Sequence, residues 1–95
     1  MIEKIQLKHP RGKKPIKMSE EKYDLLKPAV VKYLRTKGKA TLAELTTAIE
    51  KDFRTKGINF KGSIPWHLEW VKLDLEARKV IRRVPKSSPH VYVVV

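Results

Sequence analysis

Apolar and polar positions recur along the chain with two different periods, and the changes of period mark its elements. Between residues 19 and 38, Tyr23, Leu26, Val30 and Leu34 fall at helical spacing. Ser19-Glu20-Glu21 in front of them reads as an N-cap followed by acids in the first turn, and Gly38 closes the segment as a C-cap does. Pro28 interrupts this helix; it removes one backbone hydrogen bond, so a kink or a split is expected there. Thr41-Leu42-Ala43-Glu44 is a capping box, after which Leu42, Leu45, Ile49 and Phe53 trace one face up to an exit at Gly57. The loop 58–62 leads to Ser63, a further N-cap, with Pro65 tolerated in the first turn of a third helix that runs to about Arg78. Val80 to Val84 and His90 to Val95 then read as two strands joined by the turn Pro85-Lys86-Ser87-Ser88-Pro89. The expected core is Tyr23, Leu42, Leu45, Ile49, Phe53, Leu75 and Val80.

Ahead of the first helix lies an N-terminal arm, residues 1–18. Ile5 and Leu7 alternate with polar neighbours like a short strand, whereas His9-Pro10-Arg11-Gly12-Lys13-Lys14-Pro15 is a loop signature. The arm can reach DNA with its bases, and Ile5, Leu7 and Ile16 can fold it back over the core; both hold together if Arg11, Lys13 and Lys14 stay exposed. A chain of 95 residues has room for one domain, here 19–95, beside such an arm. With 41% hydrophobic and 34% charged residues it has a globular and not a disordered composition. The absence of cysteine excludes a disulfide scaffold, a Cys-ligated zinc site and a thiol nucleophile. No run approaches the roughly 18 apolar residues of a membrane span, and the first residues lack a signal-peptide stretch, so a cytoplasmic protein is expected.

Charge changes the picture most. Against 10 Asp and Glu stand 22 Lys and Arg, a net charge of +12. By segment, residues 1–18 carry +5, 19–50 carry +1, 51–61 carry +3, 62–77 carry −2 and 78–95 carry +5. Basic clusters in an arm, a mid-chain loop and the C-terminal segment raise the local concentration of polyanions and suit nucleic-acid phosphates. Solubility alone is the plainer explanation of such a surface.

Three helices closed by a two-stranded hairpin match the winged helix-turn-helix arrangement, an α+β fold with the hairpin as wing. The stretch Trp70-Val71-Lys72-Leu73-Asp74-Leu75-Glu76-Ala77-Arg78-Lys79-Val80-Ile81-Arg82-Arg83 resembles the third-helix-into-wing segment of winged-helix domains, including those at the N-terminus of Mrr-type restriction proteins. More closely, the chain resembles a family of small uncharacterised bacterial proteins, through His9-Pro10-Arg11-Gly12-Lys13, Lys22-Tyr23-Asp24, Gly62-Ser63-Ile64-Pro65-Trp66 and Val71 to Arg78. The resemblance implies a fold over nearly the whole chain and no catalytic residue. Lys79 departs from it, standing where a glycine is usual. A lysine there must adopt the left-handed conformation at the helix end, or the turn differs locally.

On the third helix, Trp66, Trp70, Leu73 and Ala77 form one stripe, with Ile64, Leu68, Val71 and Leu75 nearly opposite. His67, Asp74 and Arg78 lie on one edge between them, and Glu69, Lys72, Glu76 and Lys79 on the other. A helix packed on one side needs a single apolar stripe, so the arm, the wing or another subunit is expected to cover the second. In a winged helix this element would enter the DNA major groove, but its carboxylates oppose phosphates. Phosphate contact by arm, loop and wing is the better DNA hypothesis, with Arg11, Lys13, Lys14, Lys56, Lys61, Arg82, Arg83 and Lys86 as candidates. Asp74 with Arg78 and Glu76 with Lys79 read as ordinary helix-surface pairs. Trp66 and Trp70 invite nucleobase stacking, although aromatic residues at this spacing are more often core. The three histidines are too scattered for a metal site, and no phosphate loop or hydrolase motif is present. The expectation is therefore a non-enzymatic module without cofactor, metal, membrane or small-molecule substrate, binding double-stranded DNA. The alternative is a protein-interaction or homodimerisation module that uses Glu69, Lys72, Glu76 and Lys79 of the third helix.

Overall fold

A computed structural model describes residues 4–9, 11–12, 16–86 and 88–95. Its elements are β1 (Lys4–Gln6), β2 (Lys17–Ser19), α1 (Glu20–Lys37), β3 (Ala40–Thr41), α2 (Leu42–Lys56), α3 (Ile64–Ala77), β4 (Ile81–Arg83) and β5 (Val91–Val94). The fold is α+β: three helices with two small antiparallel sheets. β1 and β2 pair with Ile5 opposite Met18, and the second sheet has the order β3-β5-β4, so the short strand between α1 and α2 is joined to the last strand of the chain.

The arm folds back over the core. Leu7 and Met18 are buried on it, and the Leu7 amide donates to the Ile16 carbonyl at 3.2 Å, extending the β1–β2 hairpin by one step. β2 runs directly into α1, so the boundary drawn at residue 18 falls inside a continuous segment. Ser19 stands at the N-cap of α1 as expected, yet its side chain makes no capping bond; Ser19 also ends β2, opposite Lys4, where the sheet sets its backbone. Pro28 does not split α1. Both Pro28 and Asp24, whose carbonyl loses its helical donor, are exposed, so the lost bond falls on the solvent side of the helix.

The remaining helix ends follow their local chemistry. Thr41 accepts from the Glu44 amide while the Glu44 carboxylate accepts from the Thr41 amide, a complete capping box. The Thr41 amide, and after it the Thr41 hydroxyl, which also donates to that carboxylate, hold Glu44 below its ordinary value. Ser63 accepts from the Trp66 amide at the start of α3. At its far end the Val80 amide donates to the Leu75 carbonyl and the Lys79 amide to the Glu76 carbonyl, the paired bonds of a Schellman motif. Lys79 takes the left-handed conformation at φ 61°, the first of the two outcomes expected there.

Tyr23, Leu26, Val30 and Leu34 of α1 meet Leu45, Ile49 and Phe53 of α2 and Leu68, Val71 and Leu75 of α3, with Ala40, Ile81 and Tyr92 from the sheet. Leu42 and Val80, placed in the core by pattern, are only half-buried because each lies at an element junction. Among the described residues no helix is long and apolar enough to cross a membrane.

Candidate nucleic-acid interface

The C-terminal hairpin β4–β5 shows how strand geometry sorts the basic residues. Successive side chains of a strand point to opposite faces. Arg82 therefore faces solvent, whereas Arg83 turns inward, half-buried beside Glu76 at 3.5 Å and over the Tyr92 ring at 5.8 Å. As a candidate phosphate contact it is therefore placed unlike Arg82, with part of its guanidinium turned to Glu76. Lys86, at φ 61° in the hairpin turn, is exposed, as are Arg11 beyond β1 and Lys61 between α2 and α3. Lys56 is exposed but sits 3.1 Å from Asp52, one turn earlier on α2. Lys13 and Lys14 lie outside the described residues.

α3 divides its surroundings among three neighbours. Leu68, Val71 and Leu75 enter the core. The edge Glu69, Lys72, Glu76 and Lys79, assigned above to a partner, is instead closed in part by the C-terminal hairpin. Lys72 is buried, its Nζ on the Glu69 carboxylate at 3.0 Å and over the Tyr92 ring at 5.4 Å. Glu76 faces Arg83 across the same contact instead of Lys79. Only Glu69 and Lys79 of that edge remain exposed.

The opposite edge holds a residue whose role sequence reasoning missed. Asp74 is fully buried and accepts from the Lys8 amide at 2.7 Å, from the Tyr23 hydroxyl at 2.5 Å and from Arg78 Nε at 2.9–3.0 Å on both oxygens. It ties the arm, α1 and α3 at one carboxylate, so Asp74–Arg78 is not a surface pair. Burial, then the bond and charge of Asp74, push the Tyr23 hydroxyl well above its ordinary range, and the Asp74 bond raises Arg78 further.

Between these two edges the stripe of Trp66, Trp70, Leu73 and Ala77 is left partly open. Trp66 is 51% exposed and the others half-buried. Phe60, His67, Trp66 and Trp70 form a continuous run of edge-to-face rings, with centroid separations of 5.1, 4.9 and 6.3 Å. His67 Nδ1 lies 2.6 Å from the Ser63 carbonyl, which requires that nitrogen to carry the proton. Lys22 of α1 reaches over the Phe60 ring at 5.7 Å. Gly62, at φ +103°, lets the loop pass this close: a Cβ there would meet the His67 ring at 3.1 Å and Lys22 Nζ at 3.6 Å. Among the described residues no three His, Asp or Glu side chains converge to hold a metal ion.

The model of a family of unknown function, DUF6958, matches residues 4–92. The chain belongs to that family. The match takes in the β1–β2 hairpin, all three helices and β4 and ends within β5, so the Asp74 junction and the open α3 stripe both fall within the DUF6958 region. No curated protein and no solved structure matches the chain.

Proposed function

We propose that this DUF6958 chain is a non-enzymatic winged-helix module of the bacterial cytoplasm that binds double-stranded DNA mainly through phosphates. The short strand after the first helix, paired to the last strand beside β4, supports the winged-helix reading, with β4–β5 as the wing. The carrying observation is how the charges are disposed. Each carboxylate of α3 is met by a cation of the same body: Glu69 by Lys72, Asp74 by Arg78 and Glu76 by Arg83. Arg11, Lys61, Arg82 and Lys86 stay exposed and, among the described residues, none of them is joined to a carboxylate. The acids of the third helix are thus each paired within the chain, Glu69 at its surface, and the loop, arm and wing cations are left to face a polyanion.

Titration of binding to a random duplex against salt tests this reading. Affinity should fall steeply, with log K changing by about −0.9 per log unit of salt for each phosphate contacted. Arg82→Ala should flatten the slope by about one contact and weaken all sequences alike, whereas Arg83→Ala should leave it unchanged. Absence of binding at low salt removes the DNA reading. The exposure of Trp66 favours a second one, in which α3 contacts a protein or a second copy of the chain. A sedimenting dimer that Trp66→Glu dissociates would establish it.

A further inference from the structure

Trp66 is the one large aromatic side chain more than half exposed among the described residues, and it does not stand alone. It caps the run of rings from Phe60 through His67, and Trp70 buttresses it from the next turn of α3. Two lysines border this end of the helix: Lys22, held over the Phe60 ring, and exposed Lys61 of the adjoining loop. The nearest acid of α3, Glu69, is bonded to Lys72. The ring contacts of Trp66 are edge-to-face, so its half-exposed indole is itself the open aromatic surface, and an indole with cations at its margin complements a nucleobase flanked by phosphates.

A duplex fits this surface poorly. In a stacked helix the base faces are covered, and only edges are offered in the grooves. Major-groove entry would also bring the whole length of α3 toward phosphates, including Glu69, while no Arg, Asn or Gln on the open stripe is placed to read a base edge. A single strand needs only the first turn of α3. Resting on the nucleic-acid reading above, we infer that Trp66 is a stacking platform for an unpaired base, with Lys22 and Lys61 holding the adjacent phosphates. Beside the phosphate-driven binding of duplex, the ligand this platform adds is single-stranded nucleic acid, or a duplex carrying an unpaired nucleotide.

The chain has two tryptophans, so Trp70→Phe leaves Trp66 as the sole indole reporter. In that background, an oligothymidine 12-mer and an abasic 12-mer of equal charge are titrated at low salt while tryptophan fluorescence is followed. The oligothymidine should quench Trp66 and bind about 5- to 150-fold more tightly than the abasic strand, the span expected for loss of one stacked base. In the otherwise native chain, Trp66→Ala should remove that difference, with its circular dichroism unchanged because Trp66 lies outside the core. Equal binding of both strands, with salt-dependent duplex binding retained, overturns the stacking inference and leaves the phosphate reading intact. Quenching by a fully paired duplex as strong as that by the single strand overturns it in favour of groove insertion. Quenching that follows protein concentration with no nucleic acid present overturns it in favour of a second copy. Binding of no nucleic acid at all overturns both readings.

Discussion

Asp74 is the most deeply buried charged residue among those described. An ionised carboxylate taken out of water costs several kcal/mol unless its oxygens are met, and here every contact is a donor: the Lys8 amide, the Tyr23 hydroxyl and Arg78 Nε. Asp74→Asn should destabilise the fold by about 3–5 kcal/mol, as breaking a buried pair does. Tyr23→Phe, which leaves the other donors in place, should cost about 1.5–3 kcal/mol, the range for a bond to a charged group. pH separates the hydroxyl from mere packing. Tyr23 is raised above its ordinary value of 10.0 by burial and then by Asp74, so the folded chain holds that proton more tightly than the unfolded one. This contribution is complete below pH 10 and is lost as pH rises above it. Urea unfolding at pH 8 and pH 11 should therefore show the wild-type advantage over Tyr23→Phe shrinking at the higher pH. An advantage that stays constant would assign the whole effect to packing. None of this was legible locally, because Asp74 and Arg78 four residues apart look like any exposed helix pair. Tyr23 lies 51 positions away, and only the packed fold makes them neighbours.

Elements were most legible where one residue type does one job. The capping box at Thr41, the N-cap at Ser63 and the glycine exits at 38 and 57 follow from backbone chemistry alone and stand where the pattern put them. β3 escaped because two residues carry no period, and it forms only through pairing with β5. Arg82 and Arg83 were treated as equals, although the two-residue period of a strand already separates them once β4 is drawn. The C-terminus of α3 offers a sharper case. Lys79 occupies the left-handed position of a Schellman motif, a conformation that burdens a residue bearing a Cβ by about 1–2 kcal/mol. Glycine escapes that burden but loses about 0.5–1 kcal/mol through the entropy of the unfolded chain. Lys79→Gly should therefore stabilise the fold, by up to about 1 kcal/mol, and Lys79→Ala should not. Chemical denaturation of the three chains decides it; equal gains from both substitutions would mean that lysine charge and not backbone conformation is the burden.

At the scale of the whole molecule, the question is whether the arm is an appendage or a wall of the core. Ile5, Leu7 and Ile16 made folding back legible in the sequence, but their partner Met18 was not, because the register crosses the loop between β1 and β2. Leu7 is as buried as Leu26 or Val30, and the next residue's amide reaches Asp74 on α3. If the hairpin is part of one cooperative unit, Leu7→Ala should lower global stability by about 2–5 kcal/mol, as other large-to-small core changes do. Far-UV circular dichroism, which follows the helices, and tryptophan fluorescence, which follows α3, should shift together to the same lower denaturant midpoint with the slope unchanged. A tethered arm predicts otherwise: Leu7→Ala would loosen β1 and β2 while the helices unfolded at the wild-type midpoint. The distinction bears on function as well. An arm built into the core presents Arg11 at a fixed place relative to the α3 end that Lys8 touches, so its phosphate contact and those of Arg82 and Lys86 would form one rigid set. Loosening the hairpin by Leu7→Ala, under conditions where the chain remains folded, should then weaken duplex binding along with Arg11→Ala. If the arm is already mobile in the native chain, Leu7→Ala should leave binding unchanged.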